Sequence, residues 1–181
     1  MRKLLLPKMY GSLYVCPAGE SPKEQHETAH RLLYSCMQSK GCAEMPSLSR
    51  TASGKPYFAE FPEIHFNLSH CRGMAVCLLS NYECGVDVEQ CRNMRPRVVQ
   101  KIFTPDEQEA LQTSDNPDFL FTRIWTLKES YVKAIGKGIA YPMHTLNFRL
   151  DGNIVSSNRP DAYFWHITEG NFAISVCILR N

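Results

Sequence analysis

No CxxC pair occurs anywhere in the 181 residues, and the spacing Cys71, Cys77, Cys84, Cys91 fits no zinc template. The eight cysteines therefore read as reduced thiols packed as small hydrophobes, in a chain too long for a disulfide scaffold. No window approaches the roughly 18 consecutive apolar residues that a membrane helix needs. The opening MRKLLLPKMY resembles an export signal only faintly, because Pro7 and Lys8 cut its apolar run after three leucines. The expectation is a cytoplasmic protein with no membrane contact, and with Leu4 to Leu6 entering the first strand. Charge of one sign is also missing. Lys and Arg number 20 against 18 Asp and Glu, and a net charge of +2 carries no polyanion-binding signature. No low-complexity tract or long linker divides the chain, and a hydrophobic content of 44% is that of a globular core.

What is present is two runs of elements in a similar order. Short apolar stretches around Leu4–Leu6 and Leu13–Val15 precede a helical pattern from about Lys23 to Gln38, with Ser21-Pro22 as its cap and first turn. A polar connection punctuated by Gly and Pro follows, then extended segments near Ile64–Leu68 and Met74–Ser80. The second run opens with CGVDVE at 84–89, continues through a helical block RPRVVQKIF, and announces a helix at TPDE, where Thr104 caps and Glu107 closes a capping box. A longer helix spans about Asp118 to Ile135, and strands are expected at Thr145–Leu150, Ala162–Thr168 and Phe172–Leu179. The fold class that follows is α+β: two similar halves, 1–82 and 83–181, each a small antiparallel sheet packed with helices and related by a pseudo-twofold.

CGVDVE poses a problem. In a strand, Val86 and Val88 point one way and both Asp87 and Glu89 the other. Two carboxylates side by side repel unless water or a cation separates them. The stretch IWTLKESYVKAIGKG supplies a third acid. At 100° per residue, Ile124, Leu127, Tyr131 and Ile135 form an apolar stripe, and Glu129 and Lys133 fall almost opposite it. Alone, such a pair is a helix-surface contact worth about 0.3–0.5 kcal/mol. If that face meets the Asp87/Glu89 face, three carboxylates converge, and a hard divalent cation with substrate phosphates is what they would hold.

GVDVE followed by WTLKESYVKAIGKG closely resembles the signature of the 4′-phosphopantetheinyl transferases, of the two-halved, surfactin-synthetase-activating type. AHRLL at 29–33, GKPYF at 54–58, FNLSH at 66–70 and FTPDE agree in order and spacing, so the resemblance spans about residues 25–150. It implies an enzyme that transfers the phosphopantetheine arm of coenzyme A to a serine of an apo acyl or peptidyl carrier protein and releases adenosine 3′,5′-bisphosphate. It further implies that Asp87, Glu89 and Glu129 hold Mg²⁺, that Glu129 or an ordered water takes the serine proton, and that Lys133 offsets charge on the leaving oxygen. Asp87 counts among the catalytic groups as well. The nucleotide grip carried over is Arg31, Lys55, Ser69, His70, Lys133 and Lys137, with Lys55 and His70 on the 3′-phosphate. Arg92, Arg95, Arg97 and Lys101 flank the acidic strand, where they either meet an acidic carrier protein or form a solvated basic face. SPKEQH offers only Lys23 where relatives often have further basic contacts, and Val88 stands where some relatives have a third carboxylate.

The single-chain pair of halves implies a monomer with its site between them. Two other classes fit the acids: a metal-dependent nuclease, which would need a basic groove that this chain lacks, and a non-catalytic module that binds carrier proteins.

Overall fold

The computed structural model describes residues 1–181 except Leu5, Lys8, Met9, Asn153 and Asn181, and the side chain of Ile139. In chain order the elements are β1 (Arg2–Leu4), β2 (Ser12–Cys16), α1 (Pro22–Gln38), β3 (Leu48–Arg50), β4 (Pro56–Phe58), β5 (His65–Cys71), β6 (Met74–Ser80), β7 (Cys84–Gln90), α2 (Pro96–Ile102), α3 (Pro105–Thr113), α4 (Pro117–Ile135), β8 (Phe148–Asp151), β9 (Ile154–Ser157), β10 (Ala162–Glu169) and β11 (Phe172–Leu179). Every strand pair among the described residues is antiparallel. The class is α+β.

Local chemistry explains the helix starts. Ser21 and Thr104 each accept a backbone N–H at the third helical position, while Glu24 and Glu107 reach back to the cap, and a proline fills the first turn. Gly136 ends α4 in the left-handed region at φ 67°, where a residue with Cβ is strained.

Two sheets share one core. The first runs β1-β2-β6-β5 and the second β10-β11-β7. Val86 and Val88, with Ile174, Val176 and Ile178, pack against Leu13, Val15, Val76 and Leu78 between the sheets. The outer face of the first sheet is covered by α1 through Leu32, Leu33, Cys36 and Met37. The outer face of the second is covered by α4, whose closest approach is at Gly85: a Cβ there would stand 2.0 Å from the Ser130 carbonyl oxygen. Glycine at this position is what lets helix and strand touch.

Several expectations shift. The connection before residue 56 contains the β3–β4 hairpin. The strand expected at Thr145–Leu150 begins three residues later, because Met143–Thr145 forms a 3-10 turn, and it pairs with β9, which the sequence pattern did not announce. The first strand ends at Leu4, and Leu5 lies outside the described residues. The strand carrying FNLSH runs on to Cys71. The apolar stripe of α4 faces the core, and Leu127 and Tyr131 meet the β10–β11 part of the second sheet through Ala162, Phe164 and Cys177. Thr122, Thr126, Ser130 and Ala134 occupy the side towards β7 and β11, where small side chains permit the close approach. Leu127 and Tyr131 also pack against Met143, Leu146 and Phe148.

Candidate active site

β5 is an edge strand of the first sheet and β7 an edge strand of the second, and the two run side by side without a backbone ladder. Exposed strand edges leave N–H groups without partners. Here side chains of β5 supply them: Val86 N–H donates to Asn67 Oδ1 at 2.8 Å and Val88 N–H to Ser69 Oγ at 3.2 Å. Asn67 and Ser69 are spaced by two, as are Val86 and Val88, so each strand presents its partners at the same period.

Asp87 lies at this seam and is only 5% exposed, so the acidic face of CGVDVE is not a wetted surface. Its Oδ1 accepts from Ser69 Oγ at 2.9 Å and from Lys133 Nζ at 2.6 Å. Lys133 also donates to Ser69 Oγ at 2.9 Å. The face of α4 opposite its apolar stripe does therefore meet the Asp87 face. Glu129, one turn earlier on α4, and Glu89, two residues on in β7, are both half-buried. Burial pushes the Glu129 carboxyl above the usual range, the Asp87 and Glu89 charges push it further, and Lys133 partly offsets this. Burial likewise raises Glu89, with Arg92, 3.4 Å away, opposing it and Asp87 adding to it.

The three carboxylates thus feel one another across the seam. Among the described residues no three His, Cys, Asp or Glu side chains are gathered closely enough to hold a metal ion as they stand, and Lys133 occupies one oxygen of Asp87. Asp87 Oδ2, however, is buried without a hydrogen-bond partner. An orphaned carboxylate oxygen beside two further carboxyls of raised pKa is an oxygen donor set suited to a hard divalent cation.

The remaining residues singled out by sequence divide into two groups. Ser69 and His70 are neighbours in β5 and turn to opposite faces. Ser69 serves the seam, and its one hydroxyl proton goes to Asp87. His70 faces α1, where its ring lies 6.0 Å from that of His26, and its Nδ1 is buried without a partner. Burial lowers the His70 pKa, with His26, Lys133 and His30 adding to the effect. Lys55 is engaged elsewhere. Its ammonium donates to Glu83 and, at 2.6 Å, to the Ala134 carbonyl in the last turn of α4. His65, which touches the same Glu83 carboxylate, is separated from His70 by roughly 16 Å along an extended strand. Arg31 is exposed and donates to Thr28 on its own helix, and Lys137 is exposed beyond the end of α4.

Three features escaped the sequence reading. Lys128, between Leu127 and Glu129, is fully buried and donates to Glu107 at 2.8 Å and to the Met143 and Leu146 carbonyls. A lysine four residues after Ile124, on the flank of an apolar stripe, was the available signal. His26 and His30 have ring centroids 4.4 Å apart and planes tilted by 53° on α1, at the i, i+4 spacing that puts them on one face. A buried polar chain crosses the second sheet beside Asp87. Thr126 donates to the Arg123 carbonyl, so Ser175 donates to Thr126 at 2.7 Å and accepts from His166 Nδ1 at 3.2 Å.

The family model of the 4′-phosphopantetheinyl transferase superfamily matches residues 83–177, which include the acidic strand and all of α4. A 4′-phosphopantetheinyl transferase of Bacillus subtilis is 34% identical over 113 residues, covering 61% of this chain and 50% of its own length. One from Aneurinibacillus migulanus is 38% identical over 102 residues, covering 55% of this chain and 41% of its own. The chain thus spans about half the length, or less, of the curated relatives it matches. A solved holo-[acyl-carrier-protein] synthase of Thermotoga maritima superposes with a TM-score of 0.48 at 18% identity, over 55% of this chain and 64% of that one.

Proposed function

The chain belongs to the 4′-phosphopantetheinyl transferase superfamily, and from that membership we propose that it transfers the phosphopantetheine arm of coenzyme A to a serine of an apo acyl or peptidyl carrier protein. The observation that carries the reading is the meeting of α4 with the β5–β7 seam, where Lys133 reaches Asp87 and Ser69 between two half-buried glutamates.

In this reading residues 1–82 grip the nucleotide and residues 83–181 supply the acids, within one monomer. Asp87, Glu89 and Glu129 would hold Mg²⁺. When bound, the cation supplies Lewis-acid neutralisation of charge on the diphosphate. Glu129 is the base. It takes the proton from the carrier serine as the serine oxygen bonds to the phosphorus that bears the pantetheine. The bond from that phosphorus to the bridging oxygen breaks, and the electron pair leaves on adenosine 3′,5′-bisphosphate. Lys133 offsets the charge on the departing oxygen by exchanging Asp87 for it. Ser69 orients Asp87, so its contribution to substrate binding passes through that carboxylate. Lys128 and Glu107, a fully satisfied buried pair, hold α4 against the segment around Met143 and Leu146.

The nucleotide end is assigned to His70, Arg31, Lys55 and Lys137. Lys55 lies at the rim of a cavity of about 300 Å³ lined by Phe58, Tyr57, Ile64 and His65. In our reading it serves the nucleoside end after releasing Glu83, at a distance from the 3′-phosphate. Arg95, Arg97 and Lys101 are exposed and suit an acidic carrier surface, whereas Arg92 is engaged with Glu89. Among the described residues no helix is long and apolar enough to cross a membrane; the cytoplasm, where coenzyme A and reduced thiols coexist, is the compartment we assign.

Calorimetry tests the reading before any turnover. Coenzyme A should bind with Mg²⁺ present and more weakly in excess chelator. Equal affinity in both conditions, or no binding, would count against it.

A further inference from the structure

We infer that Arg92 couples the cation site to carrier docking: its guanidinium holds Glu89 until a divalent cation takes that carboxylate, and is then released to an acidic side chain of the carrier protein. The inference rests on the proposed reading and adds to it a link between two ligands.

Arg92 follows the end of β7, three residues after Glu89, and its backbone N–H donates to Thr122 Oγ1 of α4 at 3.4 Å. Its guanidinium lies 5.8 Å from the centre of the Trp125 ring on the same helix. Strand end and helix thus fix the side chain beside the acidic strand, but its polar contacts are poor. Nη2 stands 3.4 Å from Glu89 Oε1, longer than the ~2.7–2.9 Å of a charge-assisted hydrogen bond. Nε is buried with no partner. A guanidinium offers five N–H donors, and most of these are free to serve another acceptor.

Glu89 has two claims on it. In the proposed site it ligates the cation with Asp87 and Glu129, and in the structure it pairs with Arg92. A carboxylate that serves a hard dication gives up most of its attraction for a neighbouring guanidinium, and the dication repels that guanidinium as well.

The released charge joins a basic surface. From Gln90 to Phe103 the chain carries Arg92, Arg95, Arg97 and Lys101 and no acid. Arg95, Arg97 and Lys101 are exposed, and Arg97 and Lys101 share a face of α2 at i, i+4. Asp118, the acid that α4 brings to this segment, accepts from the Met94 N–H at 2.7 Å. Like charges around Arg92 disfavour its release until an anion arrives, and an acidic carrier brings one. Linkage makes the effect reciprocal: a carrier that engages Arg92 frees Glu89 for the cation. The Arg92 and Glu89 side chains are 32% and 26% exposed, so solvent screens the pair and the coupling is modest, about threefold to tenfold.

The test uses a carrier that the parent modifies, with its acceptor serine changed to alanine so that no transfer occurs. The cation is Mn²⁺, a hard divalent ion that electron paramagnetic resonance counts directly. Carrier affinity is measured by calorimetry with and without Mn²⁺, and Mn²⁺ affinity with and without carrier. In the parent each ligand should tighten the other by one and the same factor, in the range above. Arg92→Gln should bring that factor close to one and, without carrier, bind Mn²⁺ more tightly than the parent, because Glu89 has lost its competitor. Arg92→Lys, which keeps the charge, should retain most of the coupling. Glu89→Gln supplies an independent arm: with Arg92 already released, the metal-free variant should bind carrier as tightly as the parent does with Mn²⁺. Coupling through the general field of the dication would survive in Arg92→Gln, and that result overturns the inference. A parent whose carrier affinity ignores Mn²⁺, or a Glu89→Gln variant no tighter than the metal-free parent, overturns it too; in all three cases the transferase reading stands. A parent that modifies no carrier overturns the two together.

Discussion

Ser69 of β5 donates its hydroxyl proton to Asp87 of β7 at 2.9 Å, across a seam where the two edge strands share no backbone ladder. This bond fixes which carboxylate oxygen faces inward and leaves the other, Oδ2, without a partner. Lys133 reaches both residues, so the helix, the acidic strand and the first sheet are joined at a single point. The proposed chemistry depends on that join.

Replacing Asp87 with Asn keeps the shape and the acceptor oxygen but removes the charge. Transfer should fall by about a hundredfold or more, in line with the ~3–4 kcal/mol lost when a key electrostatic stabiliser is removed. Glu129→Gln should do the same, and the double variant should be little worse than either, because the acids act as a unit. Steady-state rates of the four proteins check this; full additivity would separate the two acids. Metal-free Glu129→Gln should also melt above the parent at neutral pH, since the raised carboxyl of the parent is unfavourably ionised there.

Gly85→Ala places a methyl group 2.0 Å from the Ser130 carbonyl oxygen and 2.5 Å from the Ala134 nitrogen. Backbone atoms cannot move aside as a side chain would, so α4 must lift from β7. We expect a loss of about 1–3 kcal/mol in denaturant unfolding, the usual cost of overpacking, together with weaker coenzyme A binding as Lys133 leaves Asp87. An unchanged midpoint would show that the close approach is not needed.

Much of this was legible in the sequence, for identifiable reasons. The capping residues Ser21 and Thr104, the prolines beside them, the alternation in 84–89 and the strand-like run in 172–179 are local signals, and the elements they announce lie where expected. The convergence of Asp87 with Glu129 and Lys133 could be posed as a question, because strand and helix periods put each set on one face. What could not be read were properties of the assembled seam. Ser69 and His70 look like a pair in FNLSH, yet a strand sends adjacent residues to opposite faces, and only the packing of α1 and β7 assigns those faces. Lys55 in its Gly/Pro turn gives no sign of the Glu83 and Ala134 partners that it meets far along the chain. Lys128 and Glu107 each look like surface charges until folding buries them together.

Lys55 gives a prediction that separates two uses of a lysine. If it serves the nucleoside end, as proposed, Lys55→Ala should raise KM for coenzyme A and for its 3′-dephospho form by similar factors, about tenfold, as loss of a charge-assisted bond does. An increase confined to coenzyme A would return Lys55 to the 3′-phosphate, where the resemblance first put it. The variant should also unfold more readily, having lost its cap on the last turn of α4.

His166 sets a pH limit on stability. Burial first, and the Arg123 charge second, push its pKa down to about 3. In the unfolded chain the ring titrates near 6.5, so the unfolded state binds the extra proton between these values. Stability is therefore complete above about pH 6.5 and falls with acidification, by about 2–3 kcal/mol between pH 6.5 and 4.5 from this group. His166→Gln, which can still bond to Ser175, should flatten that slope in urea titrations. An equal slope in the variant would assign the acid sensitivity to other groups.

The most direct measurement is intact mass spectrometry of a panel of apo-carrier proteins incubated with this protein, coenzyme A and Mg²⁺. The account predicts that at least one carrier gains the mass of a single phosphopantetheine on its serine, with adenosine 3′,5′-bisphosphate released in equal amount, that Asp87→Asn slows both by about a hundredfold or more, and that excess chelator abolishes them. Unmodified carriers throughout, in a preparation that binds coenzyme A, would contradict it, as would transfer that proceeds undiminished in chelator.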